Sequence, residues 1–98
     1  LSPLEREAAG QIPKVLELAK REALQYPEQT VEQLLVKLRP LLTEHGLKLQ
    51  YLEVTHSRQL LPAQANDSLM SLALPHLFVA VYAGTTRLID NVSLAIDR

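Results

Sequence analysis

The stretch Leu77-Phe78-Val79-Ala80-Val81-Tyr82-Ala83-Gly84-Thr85-Thr86-Arg87-Leu88-Ile89-Asp90-Asn91-Val92-Ser93-Leu94 decides the fold. Its first half is rich in β-branched and aromatic side chains, which suit a pleated, half-buried surface. Gly84-Thr85-Thr86 supplies turn chemistry, with a glycine free to take φ > 0. Arg87 to Leu94 is the returning strand, so the stretch predicts a β-hairpin. Arg87, Asp90 and Asn91 interrupt that strand. Buried polar groups need partners, so these three are expected to tie the hairpin to neighbouring loops in preference to contacting a substrate.

Upstream of the hairpin, Leu47, Leu49 and Tyr51 alternate with Lys48 and Gln50, while Leu52 and Val54 follow on the other face. A period of two predicts a strand. His56 to Pro62 is expected to form one helical turn that Pro62 ends, with Ser57 as its N-cap. Residues 63–68 read as a polar loop, and 69–74 as irregular.

The N-terminal half has the helical period. Ser2, Pro3 and Glu5 form a capping box with proline at the first helical position. Leu4, Ala8, Ile12, Val15, Leu16, Ala19 and Ala23 then recur at three- and four-residue steps, and Gly10 with Pro13 predicts a kink or restart. Tyr26 to Gln29 is the linker, because the residue before a proline avoids the helical region. A second capping box at Thr30 and Gln33 opens a stripe of Val31, Leu34, Leu35, Leu38, Leu41 and Leu42. Glu32, Gln33, Lys37 and Arg39 fall off that stripe, so Lys37 is expected to be solvated and replaceable at little cost. The apolar period runs through Pro40, which predicts a kink and not a stop. Gly46 then suits the position just past the helix, with His45 as the last-turn partner of the helix dipole. Two main helices, a strand and a hairpin make an α+β fold. The helices pack on one face of a small, about three-stranded antiparallel sheet.

The 98 residues suffice for one domain with one core, and 47% hydrophobic with 21% charged residues is globular composition. Ten Lys+Arg against eleven Asp+Glu leave a net charge of −1, with no footprint for nucleic acid or an anionic membrane surface. The absence of cysteine excludes disulfides, thiolate metal sites and thiol nucleophiles, and is compatible with the cytoplasm. No apolar run approaches the ~18–20 residues needed to span a bilayer. Leu1 to Glu5 is not a signal peptide, and the missing initiator Met suggests a fragment or a processed product.

No catalytic motif is present. Gly10, Gly46 and Gly84 are isolated, so no glycine-rich loop cradles phosphate. His45, His56 and His76 share no metal-ligand spacing. Glu53, His56 and Ser57 lie close in sequence, but a triad is defined by geometry and strand neighbours point to opposite faces. Pairs such as Glu17 with Arg21 read as solvated helix surface.

The run Tyr82-Ala83-Gly84-Thr85-Thr86-Arg87-Leu88-Ile89-Asp90-Asn91 closely resembles the C-terminal end of the pantothenate synthetase (pantoate–β-alanine ligase) family. Leu49 to Val54 followed by Leu60-Leu61-Pro62 is similar to that family's Tyr-hydrophobic-Glu-Val strand and its Leu-x-Pro continuation. Leu1-Ser2-Pro3-Leu4-Glu5-Arg6 is similar to its Leu-Ser-Pro-Glu-x-Arg helix start. Pro40 and the Asn66–Leu74 stretch depart from the pattern. The resemblance implies the C-terminal lid domain of an ATP-dependent, AMP-forming ligase that condenses pantoate with β-alanine through a pantoyl-adenylate, a step in pantothenate and coenzyme A biosynthesis. It implies a cytoplasmic enzyme, homodimeric at full length. An N-terminal Rossmann-like domain outside this chain would carry a His-x-Gly-His motif and bind ATP, Mg, pantoate and β-alanine. The family's Ser-Ser-Arg-Asn stretch would lie just before Leu1. No catalytic, cofactor-binding or metal-binding residue therefore carries over to a position of this chain, and the isolated chain is expected to be inactive. A further domain such as a cytidylate kinase can follow Arg98 in some relatives. The alternative is a stand-alone α+β interaction module without enzymatic role, and a His-x-Gly-His motif in the upstream coding sequence would distinguish the two.

Overall fold

The structure is a computed structural model that describes residues 1–95. Residues 96–98, where the question of a continuation arises, lie outside the described part. The elements run α1 (Pro3–Ala9), α2 (Gln11–Gln25), α3 (Val31–Thr43), β1 (Lys48–His56), β2 (Leu61–Pro62), a 3-10 turn (Leu69–Ser71), β3 (His76–Ala83) and β4 (Thr86–Ser93). The strands form one antiparallel sheet in the order β2-β1-β3-β4. The sheet thus has four strands where the sequence predicts about three, the addition being the two-residue β2 at one edge.

Both capping boxes form. The Ser2 hydroxyl accepts from Glu5 N at 3.1 Å while Glu5 Oε1 accepts from Ser2 N at 2.8 Å. That backbone amide first, and the hydroxyl second, hold the Glu5 carboxyl below its ordinary value. Thr30 and Gln33 repeat the arrangement on α3. The predicted interruption falls at Gly10, which separates α1 from α2. Pro13 is the third residue of α2, within the first turn, where no intrahelical N–H is called for.

α3 continues through Pro40, and Glu44 N still donates to the Pro40 carbonyl at 2.8 Å. The carbonyl that Pro40 leaves without a donor belongs to Val36, itself 54% exposed, so water can satisfy it. His45 Nδ1 lies 2.8 Å from the Leu41 carbonyl and caps the helix end, and Gly46 turns the chain at φ +79. The other two orphan donors at the start of α3 are met from afar. Val31 N donates to Asp67 O and Glu32 N to Ala65 O, while Thr30 and Ser68 form an isolated antiparallel bridge.

The core lies between the helices and one sheet face. Leu34, Leu38 and Leu42 of α3 and Ile12, Leu16 and Ala19 of α2 meet Leu52 and Val54 of β1 and Leu77, Val79 and Val81 of β3. The sequence shift from Leu47 and Leu49 to Leu52 and Val54 is a β-bulge between Leu49 and Tyr51. One extra residue reverses the face presented by the rest of the strand, so both halves of β1 supply apolar side chains to the core.

Two expectations need correction. His56 to Pro62 is not a helical turn ended by Pro62. Thr55 pairs with Pro62 and His56 with Leu61, and Ser57 (φ +67) and Leu60 (φ +54) reverse the chain between the strands. Ser57 is accordingly no N-cap; its hydroxyl accepts from Gln59 N within the turn. Pro62 is tolerated because β2 is an edge strand.

Lys37 is not a free surface lysine. Its Nζ lies 3.1 Å from Glu22 Oε1, 3.3 Å from the Oε1 of buried Gln29, and 5.3 Å from the centre of the Tyr26 ring. Gln29 in turn donates to the carbonyls of Glu22 and Tyr26. This network clamps the α2–α3 linker. Lys37→Ala is expected to cost about 1 kcal/mol, because it leaves the Gln29 oxygen short of a partner and removes a half-exposed ion pair. A denaturation midpoint equal to that of Arg39→Ala would show that the clamp contributes nothing.

Candidate functional site

Antiparallel partners share a face, so the register maps the sheet surface opposite the helices. Across β1, β3 and β4 it carries Lys48, Tyr82 and Arg87 at one end, and Tyr51, Ala80 and Ile89 next. Glu53, Phe78 and Asn91 follow, and Thr55, His76 and Ser93 form the other end. Aromatic rings occupy the middle of this face, with cationic groups at one end and a carboxylate and an imidazole toward the other. None of these residues belongs to the core cluster.

Two of the three polar residues singled out on β4, Arg87 and Asn91, lie on this face, while Asp90, opposite buried Val79, alternates to the other. All three are exposed; Arg87 and Asn91 tie strands together instead of reaching loops, and Asp90 bonds within β4. Arg87 Nε donates to Gln50 Oε1 at 2.7 Å, spanning β3 to reach the bulge of β1. Asn91 Oδ1 lies 2.8 Å from His76 Nε2, and the His76 ring is tilted over Phe78 with centroids 4.9 Å apart. Asp90 Oδ1 accepts from the backbone N–H of Asn91 at 2.8 Å. Gln50 is the partner sequence reasoning missed, and the change of apolar phase around it was the available signal. Thr55, 5% exposed, holds the one buried side-chain polar atom without a hydrogen-bond partner among the described residues.

The remaining candidates do not converge. Glu53 faces the side shared with Phe78 while His56, three residues on, alternates to the opposite side. Ser57 lies in the turn beyond. His45, His56 and His76 sit at the end of α3, the end of β1 and the start of β3. Among the described residues no group of three or more His, Asp or Glu side chains could hold a metal ion.

A groove of about 420 Å³ lies between α1, the end of α3 and the β3–β4 turn, lined by Glu5, Glu7, Glu44, His45 and Gly84 among others. Three carboxylates make it unsuited to a polyphosphate. Gly10, Gly46 and Gly84 occupy three separate turns, so their amides do not form a phosphate cradle. This groove therefore does not fit ATP with Mg. No described helix is long and apolar enough to cross a membrane.

Comparison with known proteins places this geometry. The family described as pantoate-beta-alanine ligase matches residues 1–93. The chain is 33% identical to a pantothenate synthetase of Shewanella denitrificans, over 94% of this chain and 30% of that protein. It is 35% identical to one of Pseudomonas fluorescens, over 99% of this chain and 32% of that protein. It is 38% identical to one of Rhodopseudomonas palustris, over 96% of this chain and 31% of that protein. The chain thus spans about a third of the length of these relatives. With the expected α+β layers, the hairpin and the matched sequence together, the chain belongs to the pantoate–β-alanine ligase family.

Proposed function

We propose that this chain is the C-terminal lid domain of a cytoplasmic pantothenate synthetase, the ligase that joins pantoate to β-alanine with ATP cleaved to AMP. The observation that carries the reading is the match to the family over residues 1–93 by a chain about a third as long as its relatives. Pantoate, β-alanine, ATP and Mg are assigned to the N-terminal Rossmann-like part of the full-length, homodimeric enzyme. That assignment is supported by the chain's spanning only about a third of the length of its relatives.

The chemistry gives a lid its use. An acyl-adenylate is hydrolysed if water reaches it before the amine does, so closing a second domain over the site protects the intermediate. This chain offers that role a sheet braced by its own cross-strand bonds, Arg87 to Gln50 and His76 to Asn91. It contributes a wall and excludes water, while proton transfers and phosphate binding belong to the other domain.

The isolated chain is expected to fold, to bind ATP too weakly to detect by calorimetry, and to release no AMP from ATP with pantoate and β-alanine. Turnover by the isolated chain would overturn the lid reading, because the catalytic groups would then have to lie within these residues.

A further inference from the structure

β4 ends the sheet, so one side of it has no neighbour among the described residues. The two-residue loop Gly84-Thr85 fixes which backbone groups lie on that side. Ala83 and Thr86 flank the loop as a mutually hydrogen-bonded pair, and bonded pairs alternate along a hairpin. Thr86, Leu88, Asp90 and Val92 therefore bond to β3, while Arg87, Ile89, Asn91 and Ser93 aim their N–H and C=O groups off the sheet. A free edge of this kind is a template for another strand. Ile89, 65% exposed, sits at its centre, and the Arg87 side chain is drawn back over the sheet to Gln50.

The edge is self-complementary. Two copies of β4 laid antiparallel about a two-fold axis at Ile89 place Ile89 beside its own copy, and Arg87 opposite Asn91 of the second copy. Arg87, Ile89 and Asn91 of each strand would then exchange bonds. The Asn91 N–H, which that pairing needs for the Arg87 carbonyl of the second copy, is instead held by Asp90 Oδ1 at 2.8 Å. The same carboxylate would be carried into the joint between the copies, where desolvation disfavours it. Shifting the axis to Leu88 avoids the Asn91 amide but shortens the pairing.

We infer that Asp90 guards the free edge of β4 against a second copy of this chain by occupying the Asn91 amide. This accounts for an acid in a strand whose cross-strand partner, Val79, is buried in the core. It does not depend on the lid reading.

Sedimentation equilibrium of the 98-residue chain tests it, with circular dichroism as the folding control. Asp90→Ala frees one donor per copy and is expected to lower the concentration for half-association by about tenfold or more. Asp90→Asn keeps an acceptor and should sediment like the parent chain. Adding Ile89→Lys to Asp90→Ala should restore the monomer, because a lysine blocks edge pairing. A folded Asp90→Ala that sediments like the parent would overturn the inference, as would association that Ile89→Lys leaves intact or that Asp90→Asn shares. Amide exchange in the unaltered chain gives an independent reading: the Asn91 N–H should exchange more slowly than those of Arg87 and Ile89. Equal rates would remove the bond on which the inference stands.

Discussion

Replacing Leu38 by alanine is expected to cost about 2–5 kcal/mol of folding stability, the range for deleting most of a buried leucine side chain. Leu38 is 0% exposed and stands on the stripe by which α3 meets the sheet and α2. The cavity would be bounded by helix and strand backbone, which limits relaxation. Arg39, the next residue, is exposed and its side chain makes no bond among the described residues, so Arg39→Ala should stay within about 0.5 kcal/mol. Chemical denaturation of the two variants side by side checks this. Equal shifts would mean that the buried face of α3 has been assigned wrongly. Lys37, which the helical pattern alone offers as the neutral control, cannot serve, because it clamps the linker.

The second large effect is expected at Gly84. Its φ of +62 is strained for any side chain, and a β-branched one is worst placed there. There is also a neighbour. A Cβ built at this position would collide with the Glu5 carboxylate, which is engaged in capping α1. Gly84→Val should therefore destabilise the chain by about 1–3 kcal/mol from backbone strain. The collision adds to this unless the Glu5 side chain swings away and gives up the Ser2 amide. The double variant Gly84→Val with Glu5→Ala separates the two parts, because it keeps the strain and removes the collision. An unchanged midpoint for Gly84→Val would place the turn elsewhere.

These residues also mark how far the sequence could be read. The capping boxes at Ser2 and Thr30, the stripe through Leu38 and the hairpin turn at Gly84 are legible because each depends on residues only a few positions apart. The bulge at Gln50 left a sign in the change of apolar phase within β1, but a period of two reads as a plain strand, and only the pairing with β3 locates the extra residue. The turn at Ser57–Leu60 was not legible. Its polar residues and Pro62 suit a helical turn and a strand reversal alike, and pairing with Thr55 and His56 settles the matter. Residues 64–70 carry no local sign that their carbonyls and amides serve the start of α3 and the linker before it.

The same divide runs through the candidate site. Arg87, Asp90 and Asn91 stand out in an apolar strand, so their importance was visible. Their partners were not, because Gln50 lies 37 positions from Arg87 and His76 15 from Asn91. Three-dimensional register alone brings them together. The expectation that they would tie the hairpin to loops failed because Arg87 and Asn91 find partners across strands and Asp90 finds its own within β4.

Joining this chain to the N-terminal domain of a family relative, and measuring pantothenate formed per AMP released with pantoate, β-alanine and ATP, tests the proposed role most directly. The joined protein should turn over, while the N-terminal domain alone loses activity to hydrolysis of the unprotected acyl-adenylate and this chain alone shows none. A joined protein that forms pantothenate no better than the N-terminal domain by itself would contradict the account.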